Sequence, residues 1–544
     1  MIKLKNQIIN SIYTVTNNLS YPKKECSLAP PKNTKFGDLC SNIALLLAKD
    51  LKKPPLEIAN DIVGELNNIS NEHINSISVT KPGFINFKIE DHYFQSEIKS
   101  ILNESQNYGR GSAGIGKTAN VEFVSANPTG PLTVGHGRNA ILGDAVSNIL
   151  EWQGYKVTRE YYFNNAGRQM RILAQSVEAR YFELLGQDLE LPQDGYQGQY
   201  IIDIAQSILN QKGRGLKSGD PIFKSIAEDT MFDKIKYTLK ELKIYFDQFT
   251  NEKTFYENGD IEKFMDELKG KDLIYKKENA TWFRTTSLGK EQDRVYIKST
   301  GEPTYRVPDT AYHLDKINRK YDLIIDVFGA DHADAYPDVI CALEALGHDT
   351  SHIKVLIYQF VTLLRDKEKV KMSTRKADFV SLDDLIDQVG MDVVRYFFIM
   401  RSMNSHLDFD LDLASDQSDK NPVYYLQYAH ARICNIISRA NNLDLPINGQ
   451  FNPSYLMHDD ELYLLKHMVR FPEYINIAYE NLEPQNIANY LQELSARFHK
   501  CYSHCRVITE DIELSKSRLA LVKATKIILA NGFKVLGISA PERM

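Results

Sequence analysis

The stretch from Val121 to Arg138 reads Val-Glu-Phe-Val-Ser-Ala-Asn-Pro-Thr-Gly-Pro-Leu-Thr-Val-Gly-His-Gly-Arg, and it constrains the fold more than any other part of the 544-residue chain. An apolar strand runs into a turn punctuated by Gly and Pro, and the turn delivers His136 to a helix start. From Arg138 onward Ile141, Ala145 and Ile149, with Leu142, Val146 and Leu150, recur at helical spacing, and Gly154 supplies a stop. Tyr155 to Phe163, rich in β-branched and aromatic residues, reads as a second strand, so the unit is βαβ. Where such a strand's carboxyl end meets the helix start, free backbone N–H groups and the positive dipole end face an anion. Gly135 and Gly137 flank His136, leaving no Cβ between backbone and ligand, and His136 can donate to a phosphate. Taken alone, Gly-His-Gly fits a capped tight turn equally well.

A second unit of the same kind follows. Tyr321–Phe328 reads as an apolar strand ending in Gly329-Ala-Asp-His332; a helix over about Ala335–Leu346 and a strand-like run Ile353–Leu363 come next. Ligands of such sheets bind where the halves meet, which puts Gly329 against an adenine or ribose and lets Asp331 accept from a ribose hydroxyl. Local capping is the alternative for Asp331 and His332. A charged loop, Arg365 to Lys371, opens Lys371-Met-Ser-Thr-Arg375. A basic loop at a strand end suits chemistry in which pyrophosphate leaves and negative charge develops on phosphates; otherwise it is a solvated loop.

Gly111-Ser-Ala-Gly-Ile-Gly-Lys-Thr118 matches the G-x-x-x-x-G-K-[ST] pattern of a P-loop ATPase. Such a loop must follow a buried strand and open a helix, yet Glu104–Arg110 is polar and Asn120–Val124 alternates like a strand. The segment reads instead as a Gly-rich linker.

The two motifs, in this order and on these elements, resemble the signatures of class I aminoacyl-tRNA synthetases, with Thr133-Val-Gly-His136 and Lys371-Met-Ser-Thr374 in the two slots. The surroundings resemble the arginyl family: the run Ala126-Asn127-Pro128-Thr129-Gly130-Pro131-Leu132-Thr133-Val134-Gly135-His136, Tyr305–Lys316, Gly329–His332 and the terminal Ala540–Met544. The resemblance implies ATP binding by Thr133, Gly135, His136, Gly329, Asp331, Lys371, Met372 and Ser373, with His136 and Lys371 catalytic. It departs from the family at Thr133, where His is usual, and at Thr374, where Lys is usual. The missing cation falls to Lys117, Arg375 or Lys376, and Lys117 is favoured because some arginyl enzymes use a lysine upstream of the first motif.

A guanidinium substrate keeps its charge and presents a planar fork of donors, so its pocket needs carboxylates and a flat partner. A glutamate inside an apolar strand, as Glu122 is, is expensive unless paired. By the resemblance, Glu122, Tyr305 and Asp309 hold the guanidinium and Asn127 the α-amino end. Expected ligands and partners are ATP with Mg²⁺, L-arginine and tRNA-Arg, with tRNA bound before arginine is activated. The alternatives are a synthetase for another amino acid and a non-catalytic tRNA-binding paralogue.

With 43% apolar residues the chain is long enough for about three domains. The expected class is α/β: an α+β domain over 1–110, a Rossmann catalytic domain over 111–380 with an insertion at about 185–300, and a stem-contact region with an all-α helical domain over 381–544. Phe36–Asn42 and Lys81–Phe87 resemble the extra N-terminal domain that contacts the tRNA corner. Within the insertion, Gly186–Gly219 reads as a mobile stretch. Periodicity after Val423 resembles the family's anticodon-binding helices, where Tyr425 or Tyr428 could stack on bases. A net charge of −6 excludes a generic nucleic-acid binder and leaves local patches for RNA.

No apolar run reaches the roughly twenty residues of a membrane span, and Met-Ile-Lys-Leu-Lys-Asn lacks a signal peptide's apolar segment. Six scattered cysteines fit a reducing compartment, so a cytoplasmic monomer is expected. Cys501 and Cys505, four apart on an apparently continuous helix and without a second ligand pair, read as packing residues, so no structural zinc is expected.

Overall fold

The computed structural model describes residues 1–69, 71–370, 380–443, 445 and 450–544. Lys371, Met372, Ser373, Thr374, Arg375 and Lys376 lie outside the described residues.

The first unit comprises β1 (Thr118–Glu122), α1 (Val134–Trp152) and β2 (Lys156–Phe163). α1 starts earlier than its apolar spacing predicts, because Thr133 caps it: the Thr133 hydroxyl accepts from the His136 amide at 3.4 Å, and His136 Nδ1 accepts from the Thr133 amide at 3.2 Å. A crossover helix, Ile222–Glu241, leads to β3 (Gln248–Asn251). The second unit is α2 (Arg306–Asn318), β4 (Leu323–Gly329), α3 (Tyr336–Leu346) and β5 (Ile353–Tyr358). All five strands are parallel in the order β5-β4-β1-β2-β3. β1 and β4, from different halves, are neighbours, so a crevice opens beyond their carboxyl ends.

Four expectations change. The apolar run Ile353–Leu363 is not one strand: β5 stops at Tyr358, and Val361–Arg365 pairs with Leu407–Asp410 and Glu368–Lys369 in a separate sheet. The break is held at Gln359, whose amide donates to the Met403 carbonyl at 3.0 Å and whose carbonyl accepts from Arg138 Nη1 at 2.6 Å. The stretch Gly186–Gly219 contains a helix, Gln199–Lys212, which buries Ile201, Ile204, Ala205 and Ile208. Its i, i+3, i+4, i+7 spacing is the signal hidden among the glycines. Gly137 does not clear space for a ligand; a Cβ there would lie 2.6 Å from Leu382 and 3.3 Å from Phe398, so it permits close packing behind α1. The helix bearing Cys501 ends at His504, with Cys505 at its cap, and both thiols are buried.

The linker Gly111–Thr118 precedes β1 instead of following a strand, and Gly111 and Gly114 press against Gln153 and Tyr155. Before it, helices Ile2–Asn18, Ile43–Leu51 and Pro55–Leu66 accompany an antiparallel sheet of Leu39–Ser41, Phe84–Ile89 and Ile74–Thr80. Among the described residues after 421 the regular elements are helices, the last of them Ile512–Leu536. Asn531 of that last helix donates to the Ser105 and Tyr108 carbonyls at 3.0 Å, fixing the first part of the chain to the last.

Candidate active site

The crevice has two ends of different chemistry. At one, three strands carry acids in register: Glu122 of β1 pairs with Asp326 of β4 and with Glu160 of β2. Charged groups so buried need partners. Lys316 of α2 supplies one, its Nζ lying 2.5 Å from both Glu122 Oε2 and Asp326 Oδ1. His313 Nε2 sits 3.0 Å from Asp326, and Arg319 pairs with Glu160 at 2.8 Å. Burial works against its charge, but Lys316 and His313 hold the Asp326 carboxyl well below the usual carboxylate range. For Glu122 burial prevails over Lys316, and its carboxyl is pushed up.

Asp309, in the first turn of α2, differs from these three. Its carboxylate forms no hydrogen bond or ion pair among the described residues, and burial pushes it up to about 7. Nearby Glu122 and Glu252 raise it further, while His313 and Lys316 oppose them. Glu252, just after β3, is itself 8% exposed and raised by burial; it accepts from Tyr162 Oη at 3.1 Å and Asn164 Nδ2 at 2.7 Å. The Asn164 amide donates to Asn127 Oδ1 at 2.9 Å, and Ser125 Oγ donates to Glu122 Oε1 at 2.8 Å. One web of contacts thus joins Asn127 through Asn164 to Glu252. Tyr305 stands at the start of α2 with 75% of its surface exposed.

The turn that aims these groups is strained. Val124 and Ser125 both adopt left-handed backbone, at φ 67° and 44°, which costs on the order of 1–3 kcal/mol each and marks functional turns. Asn139 of α1 braces the turn, its Oδ1 accepting from the Val124 amide at 2.6 Å and its Nδ2 donating to the Val327 carbonyl at 2.9 Å.

At the other end, His136 heads α1. Burial holds its imidazole down to about 4, against the opposing charge of Asp331, so the ring is neutral at pH 7. Because Nδ1 accepts from the Thr133 amide, the proton resides on Nε2. Across the switch point Gly329 ends β4; a Cβ there would lie 2.5 Å from Asp331 Oδ1, so a side chain would displace that carboxylate. Asp331 and His332 are exposed at the rim, with His332 stacked on Phe328.

The contacts described set Glu122, Asn127 and Asp309 together at the acidic end, and Thr133, Gly135, His136, Gly329 and Asp331 together at the other, while Tyr305 stands exposed at the start of α2. Lys117 is not among them. That residue precedes β1, so roughly 16 Å of strand, at about 3.3 Å per residue, separates it from the carboxyl end; the expectation that it serves the phosphates is corrected. Glu252, Tyr162, Lys316 and Asp326 went unrecognised in the sequence. Their one local signal is an acid in or beside an apolar strand, shared by Asp326 and Glu252.

A parallel sheet with this order, crossed at its switch point by a helix that begins with a capped histidine, defines a class I aminoacyl-tRNA synthetase catalytic domain. Family models match residues 3–89 (arginyl tRNA synthetase N terminal domain), 97–397 (tRNA synthetases class I (R), catalytic domain) and 426–544 (DALR anticodon binding domain). The arginine–tRNA ligase of Desulfotalea psychrophila is 47% identical over 94% of both chains, and that of Salinibacter ruber 46% identical over 96% of both. A crystal structure of a putative arginyl tRNA synthetase from Campylobacter jejuni superposes with a TM-score of 0.76 at 30% identity, covering 84% of this chain and all of that one. The Thermus thermophilus arginyl-tRNA synthetase shares the fold over 99% of this chain, at TM-score 0.78. The chain belongs to the arginyl-tRNA synthetase family.

Proposed function

We propose that the protein activates L-arginine with ATP and transfers it to the 3′ end of tRNA-Arg. The observation that carries the choice of amino acid is Asp309: a helix carboxylate without a partner among the described residues, beside strand acids that are already paired with cations. A guanidinium is the ligand that such a vacancy of positive charge selects. Glu122, Glu252 and Tyr305 complete that end, and Asn127 takes the α-amino group.

The arginine carboxylate attacks the α-phosphorus of ATP, giving arginyl-adenylate and pyrophosphate. A ribose hydroxyl of the terminal adenosine then attacks the mixed anhydride, and AMP leaves. The protein's part is positioning and charge stabilisation. His136 donates through Nε2–H to a phosphate, with Thr133 fixing its tautomer; Gly135 and Gly329 admit the nucleotide, and Asp331 receives a ribose hydroxyl. Lys371, with Met372 and Ser373, stabilises the leaving pyrophosphate. With Lys117 at the far edge, Arg375 or Lys376 supplies the cation that Thr374 lacks. Among the described residues no three His, Cys, Asp or Glu side chains gather to cage a metal, and Mg²⁺ needs no cage, being held mostly by phosphates and water.

We assign 1–110 to tRNA-corner contact and 381–544 to the stem-contact region and anticodon recognition. In the latter Tyr428, 37% exposed and stacked on Tyr424 with Arg432 over its ring, is a candidate to meet a base. The reading carries with it a cytoplasmic monomer, which sedimentation of the free and tRNA-bound protein tests. The decisive assay is ATP–pyrophosphate exchange with arginine, lysine, glutamine and citrulline, each with and without tRNA. Exchange with arginine alone, and only with tRNA, is the expected result; exchange with another amino acid, or none while tRNA still binds, overturns it.

A further inference from the structure

Residues 274–297 form a small antiparallel sheet whose two faces differ. The strands are Ile274–Lys277, Ala280–Phe283 and Arg294–Ile297. Phe283 and Tyr296 turn inward and are fully buried. On the other face Tyr275 pairs with Trp282 across the strands, and the two rings lie nearly parallel, 19° apart with centroids 6.5 Å apart. A cation flanks each: Lys277 Nζ is 5.9 Å from the Trp282 centroid, and Arg284 is 5.2 Å from that of Tyr275. All four side chains are at least partly open to solvent.

The rim of the ladder is tied down, with Tyr275 Oη donating to Asp293 at 2.8 Å, Trp282 Nε1 donating to the Lys277 carbonyl at 3.3 Å and Arg284 lying 3.8 Å from Asp272, while the outer ring faces stay partly open. Aromatic faces at a strand surface, alternating with cations, are what successive unpaired bases and their phosphates require, because every base offers a π-face and every linkage a negative charge. A duplex presents no such faces, so the platform suits an unpaired strand. Local charge agrees: residues 270–300 hold seven basic side chains against four acidic ones, in a chain whose net charge is −6.

The position of the sheet names the strand. Asp338, in the first turn of α3 and 2% exposed, binds Arg294 of the sheet at 3.0 Å and Arg306 of α2 at 2.7 Å. The Thr304 amide donates to the Tyr296 carbonyl at 2.7 Å, one residue before Tyr305. The sheet is thus bolted to α2 and α3, next to Tyr305 at the start of the helix that carries Asp309. Resting on the synthetase reading above, we propose that the Tyr275–Trp282 face is the docking platform for the unpaired 3′ end of the tRNA, steering the terminal ribose into the crevice.

The chain's other tryptophan, Trp152, is 3% exposed, so Trp282 is the natural fluorescent reporter. Wild-type protein is titrated with full-length tRNA-Arg and with the same RNA lacking its last three nucleotides, after arginine-dependent exchange has been measured on the same preparation. The expected result is quenching by the full-length RNA only, lost in Trp282→Phe, with both RNAs still bound in a filter assay. Trp282→Ala should raise KM for tRNA by about fivefold or more, the usual effect of removing one stacked base, while Trp282→Phe recovers most of it. Lys277→Gln should flatten the salt dependence of binding by about 0.7 in log–log slope. Equal quenching by the two RNAs, or unchanged charging by a folded Trp282→Ala protein, overturns the platform. Absence of arginine-dependent exchange would instead remove the synthetase reading itself.

Discussion

The two ends of the crevice solve opposite electrostatic problems. The acidic end is built in advance: Glu122, Asp326 and Glu160 sit in register on three strands, with Lys316, His313 and Arg319 already matched to them. The phosphate end offers a neutral His136, a glycine at each strand turn, and a basic loop outside the described residues. The contrast follows the reaction. A guanidinium bears the same charge before and after the chemistry, so a rigid counter-charge holds it throughout. The phosphates gain charge only as pyrophosphate leaves, and groups that engage at that moment lower the barrier where a permanent grip would not.

The largest effect should come from breaking the acidic end at its centre. Lys316→Met leaves Glu122 and Asp326 buried without a cation, and losing one partner of a buried pair costs about 3–5 kcal/mol. Chemical denaturation should register that loss; an unchanged midpoint would mean that the acids are not fixed by Lys316. Asp309→Asn comes next. It keeps the shape but removes the acidic end's carboxylate that has no partner among the described residues, so kcat/KM for arginine should fall at least about 100-fold while KM for ATP stays put and stability rises or holds. A comparable rise in the KM for ATP would erase the distinction between the two ends. At the phosphate end, His136→Ala should lower kcat by about 100- to 1,000-fold with little change in KM for arginine, as expected of a donor to developing charge.

Proton linkage separates the ends more finely. Asp309 has a folded-state pKa of about 7 against an ordinary 3.8. Between those values the free protein holds a proton that the unfolded chain releases, so this group's contribution to stability falls as pH rises through that window. In the proposed pocket, arginine binds the ionised carboxylate. Its KM should therefore rise about tenfold per unit as pH drops below about 7, and its protection against thermal unfolding should grow from about pH 6 to about pH 8. Asp309→Asn should flatten both profiles. His136, held near 4, stays neutral over the same range and contributes no such slope.

Legibility in the sequence divides along the same line. The phosphate end is local in sequence: strand, turn, His136 and helix are consecutive, and Gly329 to Asp331 repeats the logic, so periodicity and turn chemistry expose it. The acidic end is a matter of register. Nothing local says that Glu122 lies opposite both Asp326 and Glu160, or that Lys316 and His313 on α2 reach back to meet them. Glu252 stayed hidden because β3 lies inside a stretch that reads as an insertion. Lys117 misled for the converse reason: closeness in sequence to the first motif conceals the length of β1 that parts them.

The smallest effect tests the link between fold and chemistry at a single hydroxyl. Thr133 stands where relatives usually have His, and it supplies the cap of α1, with its amide fixing the His136 tautomer. Thr133→Ala removes the side-chain cap but keeps the amide. Loss of such a cap costs about 1 kcal/mol, so the thermal midpoint should drop by a few degrees and kcat by about fivefold or less. Thr133→Ser should restore both. If Thr133→Ala instead matched the loss in His136→Ala, the hydroxyl itself would touch the nucleotide, and the phosphate end would be more preassembled than its comparison with the acidic end implies.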